Sequence, residues 1–324
     1  MRIAIFGAGA VGLYFARRFL AAGEEVAMVA RGAALEALRA GRGRYHGEGR
    51  TYPLVLRATD RPAELGPQEV VLIAVKGHAL AEAAPAIARL VGPETVLVPA
   101  QNGIPWWYGH RLGGALDGVR IEAIDPNGDI TRYLDPARAL GCVVYIAGST
   151  PAPGEVRHLS GNRMILGEPD GSMGRRLDAV ASLFRRAGIA TEVTDRIRDA
   201  LWLKLWGNMT ANPISILTRG TLVDLCDDPG TLWLQRDTMA EAERIAEAMG
   251  IRFPCDIAAR IAETRGVGPH KSSSLQDFEA GRVPEIAPLL GAPLELGHQL
   301  GIRAPKLNAI LALAQLAARV RLGQ

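Results

Sequence analysis

Cysteine is scarce in this sequence. Cys142, Cys226 and Cys255 are the only three in 324 residues, and they lie far apart along the chain. An odd number of widely spaced cysteines does not build a disulfide framework and is typical of reduced, buried thiols. We therefore expect a cytoplasmic protein.

Long uncharged apolar runs are also missing. A membrane-spanning helix needs about 20 such residues, whereas the apolar runs here have strand length, as in Val70–Val75. The apolar start of the chain is interrupted by glycines and by Arg17 and Arg18, a pattern that does not fit a signal peptide. We expect neither export nor a membrane partner.

An excess of one charge is absent as well. The chain has 37 Lys and Arg against 34 Asp and Glu, a formal net charge of +3, with no block of like charges. This balance argues against a nucleic-acid partner but is compatible with small anionic ligands. The six histidines show no paired metal-binding spacing, so we predict no metal site.

The sequence does contain a change of pattern along its length. Short apolar strand patterns alternate with helical ones in the first part, whereas 3.6-residue periodicity dominates from Arg196 onward. The clearest late helical segments are Leu232–Met249, Asp256–Glu263 and Pro305–Arg319. We predict an α/β fold class, with a Rossmann-type dinucleotide-binding domain over residues 1–195 and an all-helical domain over residues 196–324.

A glycine motif opens the first domain. Met1–Phe6 is predicted to be a buried strand, Gly7-Ala-Gly-Ala-Val-Gly12 leads from it into a helix, and Glu25–Ala30 is a second strand. The glycines allow a tight turn, close approach of a pyrophosphate, and packing of the helix on the strand. The predicted cofactor-binding residues of this loop are Gly7, Ala8, Gly9, Ala10, Val11 and Gly12.

Arg31 follows the second strand, where an acidic residue would otherwise bind the ribose hydroxyls of NAD. The planar fork of an arginine suits a 2′-phosphate, so we predict NADP as the cofactor; a solvated surface arginine is the alternative. Lys76 and the pair Gln101–Asn102 end two further apolar strand patterns. Since the carboxyl ends of parallel strands line the ligand crevice, these side chains are candidates for the cofactor and substrate site. The alternatives are that Lys76 is an ordinary loop lysine and that Asn102 only forms a turn with the glycine after it.

The rest of the first domain is less regular. The segment from Tyr108 to Ala139 lacks periodicity and is interpreted as a long excursion. Further predicted elements are strands at Ala139–Ala147, Val156–Ser160 and Arg163–Gly167, a helix from Gly174 to Ala187, and a last strand at Ala190–Thr194.

A polar ladder lies in an apolar helix at the start of the second domain. Lys204, Asn208 and Asn212 are four residues apart, so they share one helix face. Buried amide and ammonium groups need partners, and these come either from the protein itself or from a polar ligand. We interpret the neighbouring Trp202 and Trp206 as core residues rather than substrate stackers.

A second polar segment follows at Ser272-Ser-Ser-Leu-Gln-Asp277. It is predicted to precede a helix, with Glu285 beyond that helix. The serines fit helix caps; beside the lysine ladder, Ser273 is a candidate for binding a carboxylate, and Glu285 for binding a substrate hydroxyl.

Together these motifs resemble the ketopantoate reductase (2-dehydropantoate 2-reductase) family across essentially the whole chain. The glycine motif discriminates little, whereas the lysine–asparagine helix combined with the Ser-Gln-Asp and Gly-Arg-x-x-Glu segments is specific. The resemblance implies NADPH-dependent reduction of a 2-keto acid, most simply ketopantoate to pantoate. By resemblance, the catalytic residues are Lys204, as general acid, and Glu285; the substrate-binding residues are Asn208, Asn212, Ser273 and Asn102; Lys76 and Asn102 contact the cofactor and keto acid.

Two features depart from the family pattern. Many members read Gly-Arg-x-Thr-Glu-Ile-Asp where this chain reads Gly281-Arg-Val-Pro-Glu-Ile-Ala287, and the segment after Pro105 is longer. We therefore expect a reshaped pocket, which leaves room for a keto acid other than ketopantoate as the substrate.

Other kinds of protein that contain a Rossmann-type nucleotide-binding domain also fit part of the pattern. A 3-hydroxyacid or opine-type dehydrogenase would likewise have a nucleotide domain followed by a helical one, and a non-enzymatic NADP-binding sensor would keep the glycine loop. A short-chain reductase is disfavoured because no tyrosine has a lysine four residues later. The apolar helical half is compatible with a homodimer.

Overall fold

Within residues 1–323, which the computed structural model describes, the chain forms ten β-strands and eleven α-helices. The strands are β1 (Ile3–Phe6), β2 (Val26–Val29), β3 (Arg44–Gly47), β4 (Arg50–Pro53), β5 (Arg57–Thr59), β6 (Gln68–Ile73), β7 (Val91–Pro99), β8 (Gly141–Ser149), β9 (Glu155–Gly167) and β10 (Ala190–Val193). The helices are α1 (Ala10–Ala21), α2 (Gly32–Arg39), α3 (Leu80–Ile87), α4 (Arg175–Arg186), α5 (Ile197–Thr218), α6 (Leu222–Asp227), α7 (Pro229–Ala248), α8 (Ile257–Gly266), α9 (Ser273–Glu279), α10 (Ala292–Gln299) and α11 (Pro305–Leu322).

The chain divides into two structural units. Unit 1 consists of Met1–Gln101, Trp106–Leu112 and Asn127–Ile197. Unit 2 consists of Asn102–Pro105, Gly113–Pro126 and the chain from Arg198 onward. The excursion from residue 108 to residue 139 is thus shared between the units, and short turns and 3₁₀ segments replace regular structure there.

The first sheet of unit 1 is parallel and has the order β5-β2-β1-β6-β7. Its central strands are largely apolar because both faces are covered, and Ile5, Leu72 and Val98 are fully buried. The strand order reverses between β1 and β6, which is the switch point where doubly wound sheets bind nucleotides. The predicted Rossmann-type α/β architecture is therefore confirmed.

A second sheet in unit 1 was not predicted. It has the order β10-β9-β3-β4, with β8 antiparallel to β9. The segments predicted as strands at residues 156–160 and 163–167 are both strand, but the predicted break between them is wrong, since β9 is continuous. Gly161, at a φ of 79°, allows this: a Cβ atom there would lie 2.2 Å from the Tyr145 carbonyl oxygen, so only glycine permits the irregular pairing with β8.

Unit 2 is helical in its carboxyl-terminal part, as predicted. Helix α5 is anchored by Trp206, whose indole N–H donates to the Met239 carbonyl oxygen at 2.8 Å and whose ring stacks on Phe253 with centroids 4.1 Å apart. Trp202 and Trp206 are both fully buried, which confirms that they are core residues. The polar ladder of Lys204, Asn208 and Asn212 therefore lies on a helix that is anchored in the core of unit 2. In the described part of the chain, no helix is both long and apolar enough to span a membrane.

All three cysteines are reduced, as predicted. Cys142 and Cys226 are buried and Cys255 is partly buried. Burial raises the pKa of the Cys226 and Cys255 thiols, so both stay protonated at neutral pH.

Candidate active site

Three side chains from separate segments of unit 2 meet in one hydrogen-bonded row. The Lys204 ammonium donates to Asn102 Oδ1 at 2.8 Å, and Asn102 Nδ2 donates to Glu285 Oε2 at 3.2 Å. The amide of Asn102 is oriented from both sides, because its oxygen faces the cation and its nitrogen faces the carboxylate. We call Lys204, Asn102 and Glu285 the polar triplet.

The triplet lies in a poorly solvated setting. Glu285 is only 4% exposed, while Lys204 and Asn102 are partly buried. A buried carboxylate and an ammonium joined through an amide are strongly constrained in position, since separating them would leave charges with poor solvation. Such an arrangement holds an acid and a hydrogen-bond acceptor ready for a polar ligand.

Gly103 fixes the position of Asn102. Its φ is 82°, and a Cβ atom there would lie 2.4 Å from the Pro288 carbonyl oxygen. The next residue, Ile104, donates its backbone N–H to that same oxygen at 2.9 Å. Pro288 belongs to a π-helical turn, Ala287–Gly291, that follows Glu285 almost directly. The Asn-Gly pair therefore lies in a bend of the chain, and that bend brings Asn102 and Glu285 together.

Replacement of Gly103 by alanine is expected to lower kcat/KM by about 10- to 100-fold, because displacement of reacting groups by about 1 Å costs that much. The backbone must move to relieve the clash with Pro288, and Asn102 moves with it. Steady-state kinetics of Gly103→Ala measure the loss. Gly301→Ala is the matched control, since Gly301 has a φ of 72° and open space around its Cβ position. Equal activity of the two variants would contradict this role for Gly103.

The other two ladder residues differ in their surroundings. Asn208 is half-buried, one turn beyond Lys204. Asn212 is 5% exposed, and its Nδ2 donates to Ser274 Oγ at 3.2 Å. Asn212 therefore has a protein partner and links α5 to α9, which is the arrangement expected if the protein itself satisfies this part of the ladder.

Helix α9 begins earlier than predicted. Ser272 is its N-cap and accepts from the Leu275 N–H at 3.1 Å, so Ser273 is the first helical residue rather than part of a preceding loop. The correction follows from the strong preference of serine for the N-cap. Ser273 is exposed, whereas Ser272 and Ser274 are buried. Of the three hydroxyls, that of Ser273 is therefore the most accessible to a ligand.

The glycine loop of unit 1 fits a dinucleotide. Gly7 has a φ of 116° and connects β1 to the loop, and a Cβ atom on Gly12 would lie 1.9 Å from the Gly7 carbonyl oxygen. At Gly9, by contrast, a Cβ atom would meet no protein atom within 4 Å. Helix α1 begins directly after Gly9 without a side-chain cap. Open space beside uncapped N–H groups suits a pyrophosphate.

The remaining predicted cofactor residues surround the carboxyl end of the parallel sheet. Ala8, Ala10 and Val11 are partly buried and pack against the core of unit 1. Lys76 is exposed just beyond β6. The Gln101 amide donates to the Val75 carbonyl oxygen at 2.8 Å, which ties the ends of β6 and β7 together.

Arg31 lies at the carboxyl end of β2, at the N-cap position of α2. Its side chain is 79% exposed, and its Nη1 atom lies 2.6 Å from Glu82 Oε1. The pairing of Glu82 with Arg31 was not predicted from the sequence. Nothing in its local pattern marks it, since it is an exposed residue in the first turn of α3.

A parallel sheet of this order with a glycine loop, followed by a helical region that presents a lysine, defines the class of two-domain nicotinamide-dependent oxidoreductases. Family models agree. The model for ketopantoate reductase PanE/ApbA matches residues 3–171, and the model for its C terminal part matches residues 196–318. The chain belongs to the ketopantoate reductase family, whose members reduce ketopantoate to pantoate with a nicotinamide dinucleotide.

Individual relatives cover nearly the whole chain. The 2-dehydropantoate 2-reductase of Mesorhizobium japonicum is 44% identical over 316 residues, which are 97% of each chain. A crystal structure described as a ketopantoate reductase of Ralstonia solanacearum MolK2 is 43% identical, covers 99% of this chain and 98% of its own, and has a TM-score of 0.94. The 2-dehydropantoate 2-reductase of Geobacter metallireducens GS-15 is 27% identical, with coverage of 98% and 100% and a TM-score of 0.86.

Proposed function

We propose that this protein catalyses the NADPH-dependent reduction of 2-dehydropantoate to pantoate, with Lys204 as the general acid. The observation that carries the proposal is the polar triplet, in which Asn102 holds the Lys204 ammonium at 2.8 Å and also contacts Glu285. Membership of the family supports the same reaction.

The chemistry explains why a lysine is needed. A bound NADPH supplies a hydride to the carbonyl carbon, and negative charge then develops on the keto oxygen. The Lys204 ammonium stabilises that charge and donates a proton to the oxygen, which completes the hydroxyl group. The hydrogen bond to Asn102 restrains the amine, so that little reorganisation is required during the reaction.

The other polar groups are proposed to recognise the substrate. Glu285 accepts a hydrogen bond from the hydroxyl group at the far end of ketopantoate, and Ser273 donates to the carboxylate. Asn208, on the same helix face as Lys204, orients the keto group. For Asn212 we propose an indirect contribution through its hydrogen bond to Ser274, which links α5 to the helix that carries Ser273.

For the cofactor we propose NADPH rather than NADH. Arg31 supports this preference because its guanidinium is exposed at the end of β2, where the 2′-phosphate would bind. The glycine loop from Gly7 to Gly12 would hold the pyrophosphate, and Lys76 and Gln101 would contact the nicotinamide side of the cofactor.

One specific feature favours a second substrate. Pro284 is buried directly before Glu285 and offers no hydroxyl group, and Ala287 beyond it offers no carboxylate. A keto acid with a more apolar chain is the alternative substrate that fits this local chemistry.

Consumption of NADPH with a panel of keto acids tests the proposal. The panel contains ketopantoate and 3,3-dimethyl-2-oxobutanoate, which differs from it only by lacking the hydroxyl group. We expect kcat/KM to be higher for ketopantoate by about 10-fold or more, because a hydrogen bond to a buried charged group contributes about 1.5–3 kcal/mol. A preference for the analogue would show that the substrate is a keto acid without that hydroxyl group. Binding of NADPH without any turnover would indicate a sensor.

A further inference from the structure

An ion pair occupies the place where unit 1 would recognise the 2′-phosphate of NADP. Arg31 Nη1 and Glu82 Oε1 are 2.6 Å apart, and the two side chains are 79% and 71% exposed. Arg31 follows β2, and Glu82 lies in the first turn of α3, which follows β6. The pair therefore joins the segments that follow the two strands on either side of β1. It is not needed to neutralise a buried charge.

The surroundings of Arg31 suit an anion. Arg31 is the N-cap residue of α2, and no side chain caps that helix. The N–H groups of its first turn therefore remain available to an acceptor, and they carry the positive end of the helix dipole. Glu82 is the residue that competes with such an anion, since it is the carboxylate bonded to the guanidinium.

We propose that Glu82 competes with the 2′-phosphate for Arg31 and thereby sets the affinity of the protein for NADP. This inference rests on the NADP preference proposed above. An exposed ion pair contributes little, and a phosphate near neutral pH carries more charge than a carboxylate, so the phosphate can displace Glu82. The displaced carboxylate stays close to the phosphate, and repulsion between these like charges weakens binding.

The expected effect is selective for the phosphate. Glu82→Gln keeps the size of the side chain and removes its charge, so it should tighten binding of 2′,5′-ADP by about 3- to 10-fold, the range given by like charges several ångströms apart near a surface. Binding of 5′-ADP, which lacks the 2′-phosphate, should change by less than about twofold. The gain should shrink in high salt because exposed charges are screened.

Isothermal titration calorimetry of the full chain with these two nucleotides tests the inference without relying on turnover. The variants are Glu82→Gln, Arg31→Gln and the double variant. Glu94→Gln is the control with the same change of net charge, because Glu94 is exposed towards the amino end of β7, away from the carboxyl ends of the strands. We expect wild-type affinity for both nucleotides in the control.

The outcomes separate the inference from the proposed cofactor preference. If the wild type binds the two nucleotides equally well, both are overturned. If the wild type prefers 2′,5′-ADP but Glu82→Gln leaves that preference unchanged or reduces it, the NADP preference stands and the role of Glu82 is overturned. In the Arg31→Gln background the competition for the guanidinium is gone, so the gain from Glu82→Gln should be smaller than in the wild type and limited to the relief of direct repulsion; an undiminished gain there would show that Glu82 does not act through Arg31.

Discussion

Lys204→Ala is expected to lower kcat for the keto acid by about 10²- to 10⁴-fold, the usual contribution of a positioned proton donor. The variant loses both the proton and the positive charge that stabilises the developing oxyanion. Binding of NADPH should be unchanged, since the cofactor residues proposed in unit 1 are intact. Stopped-flow absorbance measurements of NADPH oxidation, together with a fluorescence titration of the cofactor, measure the two effects separately.

A matched control distinguishes the role of Lys204 from a general effect of removing a lysine. Lys271 is an exposed residue of unit 2 that pairs with Glu279 at 2.8 Å, outside the polar triplet. Lys271→Ala should retain wild-type kcat. Because loss of the ammonium leaves the buried Glu285 carboxylate without a compensating charge, the thermal midpoint of Lys204→Ala should fall, and kcat is therefore compared at a temperature well below that midpoint. If Lys204→Ala turned over the keto acid within about twofold of the wild-type rate, another group would have to be the acid.

Gly12→Ala is expected to damage unit 1 itself. The added Cβ atom would lie 1.9 Å from the Gly7 carbonyl oxygen, a backbone atom that cannot rotate away. Overpacking of this kind costs about 3 kcal/mol, which corresponds to a fall in Tm of about 6–12 °C for a domain of this size. Differential scanning calorimetry measures the change, and binding of NADPH should be lost along with it.

Gly9→Ala provides the contrast. A Cβ atom at Gly9 would meet no protein atom within 4 Å, so the fold should tolerate it and Tm should stay unchanged. The same methyl group would nevertheless occupy space proposed for the pyrophosphate, so affinity for NADPH should fall. Unchanged affinity in Gly9→Ala would contradict the placement of the cofactor over this loop.

The parallel sheet of unit 1 could be predicted because its signals are local. Strand β1 is a continuous apolar run, β6 contains one at residues 70–73, and the glycine loop has its fixed spacing between β1 and α1. Tertiary pairing determines the elements that were missed. The hairpin of β3 and β4 has no apolar alternation, and it is stabilised by the pairing of β3 with β9 more than a hundred residues later.

The candidate site was only partly predictable for a related reason. The four-residue spacing of the ladder placed Lys204 and Asn208 on one face without knowledge of any other segment. The partners could not be predicted, because they lie far away in the sequence. Lys204 and Asn102 are 102 residues apart, and Asn102 and Glu285 are 183 residues apart. The same is true of Asn212, whose partner Ser274 lies 62 residues away. The pairing of Arg31 with Glu82 likewise required the structure.

If the ammonium of Lys204 supplies the proton in the reduction, the rate of hydride transfer must depend on the protonation of that side chain. Single-turnover hydride transfer from NADPH to ketopantoate should be followed across the pH range in the wild type and in Lys204→Ala. We predict that the wild-type rate falls at high pH as the donor loses its proton, and that this basic limb is absent from the slow residual reaction of the variant. The same limb at the same pH in both proteins would show that Lys204 is not the proton donor.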